Sequence, residues 1–175
     1  MPEIVRSRGG DYVVALPGSW TIIPLANRVE TANAVSALVT GYVGRDDRRA
    51  QLRRVLREHV LGLAREARTA DIEFLAVAPE LVPGVPFGGA LTTRTLPWPA
   101  DAGPLTQPVR TVSSGDRESA GHVERMISVD YVVPTPVGAG LLLAFSVPEA
   151  TVSAEAILPL FDTIVEAISW VDAGL

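Results

Sequence analysis

Residues 141–148 read LLLAFSVP, an almost continuous apolar run that ends at Pro148. A strand with one wet face alternates apolar and polar side chains, whereas a strand covered on both faces does not. The run therefore predicts a central strand with a layer on each side. Helical spacing resumes beyond it. Ile157, Leu160, Phe161, Ile164, Val165, Ile168 and Val171 recur at three-and-four intervals and form a broad apolar face. Ser153 is a candidate N-cap, with Ala156 rather than Glu three residues on. Pro159 fits only the first turn of a helix, which puts the regular start near Leu158. Trp170 is expected to close this helix, and Gly174 to stop it.

Strands precede the run. His122 to Val133 reads as a long strand, and Val109 to Ser113 as a short one ended by a turn at Ser114-Gly115-Asp116. Residues 97–108 hold Pro97, Pro99, Pro104 and Pro108 and read as a loop. Val85 to Leu96 and Ile72 to Ala78 are two further strands. Gly88-Gly89 in the first of these suggests a bulge or a close approach.

Two helices come before the strands. One spans Val29 to Val43 and frays at Gly41 and Gly44. The other runs from about Asp46, a plausible N-cap, to Thr69, with Arg65 and Arg68 near its end. Leu52, Val55, Leu56, His59, Val60, Leu63 and Ala67 form its apolar stripe. Tyr12 to Leu16, the turn Pro17-Gly18-Ser19-Trp20 and Thr21 to Leu25 make up the start. The order is two strands, two helices, a meander of five strands and a helix. Short links between consecutive strands favour antiparallel pairing. Helices from both ends of the chain would then cover the sheet. The fold expected is α+β: a three-layer α/β/α sandwich with a central, mainly antiparallel sheet, one domain over residues 1–175.

The entry Tyr12-Val-Val-Ala-Leu-Pro-Gly-Ser-Trp20, and the strand, proline exit and helix from Leu141, resemble the Mog/PsbP-like superfamily. That superfamily includes Mog-type Ran-binding proteins, PsbP photosystem proteins and mycobacterial lipoproteins of the LpqN type. Leu52 to Ala67 and Val82-Pro-Gly-Val-Pro86 resemble uncharacterised proteins of high-GC actinobacteria. The resemblance implies the α/β/α sandwich and a binding or assembly role, with no shared catalytic residues. A role associated with type VII secretion would fit the actinobacterial likeness. The lipoprotein signal of the LpqN pattern is missing.

Composition narrows the chemistry. Cys is absent, which excludes disulfides, thiol nucleophiles and thiolate metal sites. All 15 basic residues are Arg, so no lysine Schiff base or phosphate-loop lysine is available. The start MPEIVRSRGG lacks an apolar run and no segment is long enough to span a bilayer, so a cytoplasmic location is expected. Gly138-Ala139-Gly140 precedes a strand rather than a helix, which argues against a dinucleotide fingerprint.

The candidate sites are few. His122 and Glu124 alternate onto one strand face, continued by Ser128 and Asp130, and could form an acid–base pair or half a metal site. His59 reads as a packed helix histidine. Residues 45–68 carry eight Arg against four acids, locally +4 in a chain of net −5. Arg49, Arg53 and Arg57 on that helix, with Trp98 in the proline loop, are the candidate partner-binding residues. Trp98 reads more readily as tucked against the sheet than as exposed. The acidic remainder argues against nucleic acid. The expectation is a non-catalytic interaction or assembly module with a protein partner, without cofactor or metal, and compatible with a homo-oligomer. The alternatives are a carrier of a small apolar ligand held between sheet and helices, or an enzyme built on His122 and Glu124. A large apolar cavity would favour the carrier, and an open strand edge the interaction module.

Overall fold

The structure is a computed structural model that describes residues 3–6, 12–17, 20–119 and 122–171. The expected Gly18-Ser19 turn residues and the Gly174 stop lie outside the described residues. So does the side chain of His122. The strands are β1 (Glu3–Arg6), β2 (Tyr12–Leu16), β3 (Thr21–Ile23), β4 (Phe74–Val82), β5 (Val85–Leu96), β6 (Val109–Ser119), β7 (His122–Pro134), β8 (Gly140–Pro148) and β9 (Ser169–Trp170). The helices are α1 (Arg28–Val43), α2 (Ala50–Thr69) and α3 (Ala154–Glu166).

Six strands form one antiparallel sheet in the order β3-β4-β5-β8-β7-β6. The central strand predicted at 141–147 is β8, between β5 and β7. Its odd residues Leu141, Leu143, Phe145 and Val147 are fully buried on one face, and Leu142, Ala144 and Ser146 are half-buried on the other. The strands do not follow one another as a simple meander. The proline loop carries the chain from β5 to the far edge, where β6 starts, and β8 returns to pair with β5.

The α/β/α sandwich is overturned. The fold is mainly β, and only one face of the sheet carries an all-helical layer, the α1–α2 hairpin. The other face is covered by α3 together with a second, small sheet in the order β1-β2-β9. Trp170, expected to end a helix, instead pairs with Tyr12 across β9 and β2. The apolar spacing beyond Glu166 fits a short edge strand as well as a helix, so periodicity could not separate the two. Ser114-Gly115-Asp116 is likewise no turn: β6 pairs with β7 without a break from Val109 to Ser119. Helix α3 starts four residues before the expected Leu158, with Ser153 as N-cap accepting from the Ala156 amide at 3.3 Å. Pro159 is accommodated inside it.

Alternation along β4 shows how the sheet divides two cores. Phe74, Ala76 and Ala78 face α3 and the small sheet, whereas Leu75 and Val77 face the hairpin. On the α3 side Phe161 stacks on Phe145 at 4.1 Å and 18°. On the hairpin side α2 contributes Val60, Ala64 and Ala67, all towards its C-terminal end. Small side chains there let that end approach the sheet closely.

Candidate functional site

The N-terminal end of α2 does not follow the sheet as closely. Its predicted stripe begins at Leu52 and Val55, yet these are 48% and 37% exposed. Arginines hold the hairpin in shape. At one end Arg68 donates to the Leu25 carbonyl at 2.8 Å and to the Thr31 hydroxyl. At the tip, Arg53 donates to the carbonyls of Gly44 at 2.9 Å and Asp46 at 2.6 Å, and Arg49 to that of Val43 at 3.2 Å. These bonds satisfy carbonyls left open at the end of α1. Asp46 accepts from the Arg48 amide and caps a 3₁₀ turn, Asp47–Arg49, ahead of α2. Two of the three candidate partner arginines are thus engaged within the chain, while Arg57 is exposed.

Beneath the hairpin tip is a cavity of about 460 Å³. Its roof is Leu38 and Tyr42 of α1 with Leu56 and Leu63 of α2, and its floor is Val77, Ala90 and Met126 of the sheet. Phe87 closes the inner end beside Gly88 and Gly89. The glycine pair foreseen as a close approach is one. Gly88 has φ +68, and a Cβ there would sit 3.1 Å from the Pro148 ring. The β4–β5 ladder also shifts register between Ala78 and Val82, which opens the sheet next to the cavity.

Polar side chains in the lining are few, among them His59, Glu124 and Thr151, whose hydroxyl donates to the Phe87 carbonyl. Burial lowers the His59 pKa from its ordinary 6.5, helped by Arg117 and opposed by Glu124 and Glu66. The imidazole is therefore neutral at pH 7. Arg117 and Glu66 pair with each other at 2.6 Å. Among the described residues no arginine lines the cavity. Glu124 shares the hairpin face of β7 with Ser128 and Asp130, as alternation predicted, and burial pushes the Asp130 carboxyl up. His122 is placed only by its backbone, opposite Ser119 at the start of β7, so its meeting with Glu124 lies outside the described side chains.

No protein-family model, curated protein or solved structure matches this chain. The Mog/PsbP-like resemblance thus rests on the residues quoted for it. No group of three His, Asp or Glu side chains converges among the described residues. No helix among them is long and apolar enough to cross a membrane.

Trp98 is half-buried, and its indole N–H donates to the Gly103 carbonyl at 2.7 Å. It lies against Gly140, where a Cβ would meet its ring at 3.5 Å and Val132 at 2.9 Å. Sequence reasoning missed a second polar cluster entirely. Asp162 of α3 accepts from the Tyr131 hydroxyl and from Arg110, each at 2.7 Å. The three residues are far apart in sequence and share no motif. Sequence reasoning also placed His59 in a packed stripe rather than beside a cavity.

Proposed function

We propose that the protein holds a small apolar molecule in the cavity beneath the α1–α2 tip and acts as a carrier or binding protein for it. The observation that carries this reading is the cavity itself. Its volume falls within the roughly 300–1,000 Å³ of small-molecule sites, and its walls are mostly aliphatic and aromatic with few polar side chains. The exposed Leu52, Val55 and Tyr42 border this part of the hairpin and extend the apolar surface outwards.

The lining also selects against an anionic head group. A carboxylate would meet no arginine among the described lining residues and would share the cavity with the Glu124 carboxylate. His59, neutral at pH 7, brings no positive charge to balance one. The reading therefore favours an uncharged apolar molecule over a fatty acid.

N-phenyl-1-naphthylamine, a neutral apolar fluorophore, tests this. It should bind saturably with a blue shift in emission. Decanol should displace it, and decanoate at pH 7 should compete poorly. Ala90→Phe, which fills the floor, should abolish binding in a folded protein. Absence of saturable binding by the wild type would overturn the reading. The protein-partner expectation draws support from a different feature, the outer edge of β6.

A further inference from the structure

Strand β6 ends the six-stranded sheet, and no strand among the described residues pairs with its outer side. Residues 109–116 and Glu118 are exposed, and Arg117 is half-buried. Its ladder with β7 is free of bulges over eleven residues. It contains no proline, since Pro108 stands just before it. Sheet edges are ordinarily blunted by prolines, bulges or shortness, because their open N–H and C=O groups recruit another strand. This edge has none of these protections.

It does carry charges, and their placement is informative. Residues that face each other across an antiparallel ladder are of one kind: both exchange hydrogen bonds or neither does. Along β6 every second residue aims its N–H and C=O outwards. Two copies related by a two-fold axis can therefore pair only even residues with even, and odd with odd. Arg110, Asp116 and Glu118 are all even and share the α3 face, where Arg110 is also bonded to Asp162 of its own chain. An axis through Ser113 sets Arg110 opposite Asp116 of the second copy, and an axis through Ser114 sets it opposite Glu118. The register that would oppose Arg110 and Arg117 joins even to odd and is barred. Arg117 lies on the hairpin face, bonded to Glu66. In these two registers it meets Val109 or Thr111.

We infer that the protein forms a two-fold dimer through antiparallel β6–β6 pairing, which joins the two six-stranded sheets into one continuous sheet. Charges that would repel a foreign strand of either sign are complementary in the copy. Opposite charges across a ladder favour pairing and like charges disfavour it, and the symmetry counts each contact twice.

Light scattering on the full chain should give twice the 18.6 kDa monomer mass, falling on dilution. The double variant D116R/E118R places Arg opposite Arg110 in both registers and should weaken the dimer at least about tenfold. R110E, which sets Glu opposite the two acids, should do the same. An equimolar mixture of the two variants restores opposite charges and should recover the dimer. A wild type that stays monomeric at high concentration overturns the proposal. So does a D116R/E118R variant that dimerises as tightly as wild type, or a mixture no tighter than its components. Hydrogen exchange gives a readout independent of variant folding: outward β6 amides should be protected increasingly with wild-type concentration. Concentration-independent exchange would likewise refute β6 pairing.

Discussion

The Phe87 ring occupies the space that a side chain on Gly89 would need: a Cβ there would lie 2.3 Å from its Cε1. Phe87 is 1% exposed and meets Trp20 edge-on at 6.1 Å, so the ring has little room to yield. Gly89→Ala should therefore cost about 1–3 kcal/mol through forced repacking. The cavity should change with it, because Phe87 is its inner wall. A melting curve together with tryptophan emission checks this. Unchanged stability and emission would show that the ring moves freely.

Phe161 is fully buried against Phe145 and holds α3 to the sheet. Phe161→Ala should lower stability by about 3–5 kcal/mol. Denaturant unfolding measures the loss, and a value below 1 kcal/mol would mean that the site collapses around the deletion.

How much of this was legible in the sequence depended on whether local chemistry or long-range contact decided it. Strand β5 and both ends of α1 were readable to within a residue, helped by Pro83-Gly84 before β5 and Gly44 after α1. Residues 141–147 announced a central strand by their lack of alternation. The place of β8 beside β5 was not legible, since strand order is set by tertiary packing and the proline loop carries no topological signal. Residues 114–116 combine turn-forming types, yet β7 supplies a full ladder that overrides their preference. The cavity was invisible for a similar reason. Leu56 and Leu63 have the same periodicity whether the sheet touches them or not.

The Tyr131–Asp162–Arg110 cluster makes stability sensitive to alkali. Burial, then the Asp162 carboxylate, pushes the Tyr131 phenol up to about 12 from its ordinary 10. A raised folded-state pKa means the folded chain holds this proton more tightly than the unfolded one. The contribution is complete below 10 and is lost as pH rises towards 12. Stability of wild type should fall across that window, and Tyr131→Phe should remove the part that this phenol supplies. Absorbance at the phenolate band should show less late-titrating phenol in Tyr131→Phe than in the wild type. A wild type whose tyrosines all titrate near 10 would contradict the hydrogen-bonded placement.

Acid acts through a different group. His59 has its pKa lowered first by burial, then by Arg117, against the pull of Glu124 and Glu66. A folded state that binds its proton less readily is favoured while the imidazole is neutral. That contribution is complete above the ordinary 6.5 and is lost as pH falls through the lower folded-state value. The same proton would place a charge on the cavity wall, so apolar binding should weaken over the same acidic range. His59→Gln keeps a neutral hydrogen-bonding side chain and should flatten both dependences. NMR separates the two imidazoles, because the chain has only His59 and His122. A His59 resonance titrating at or above 6.5 would show that the carboxylates outweigh burial, and acid would then strengthen the fold instead.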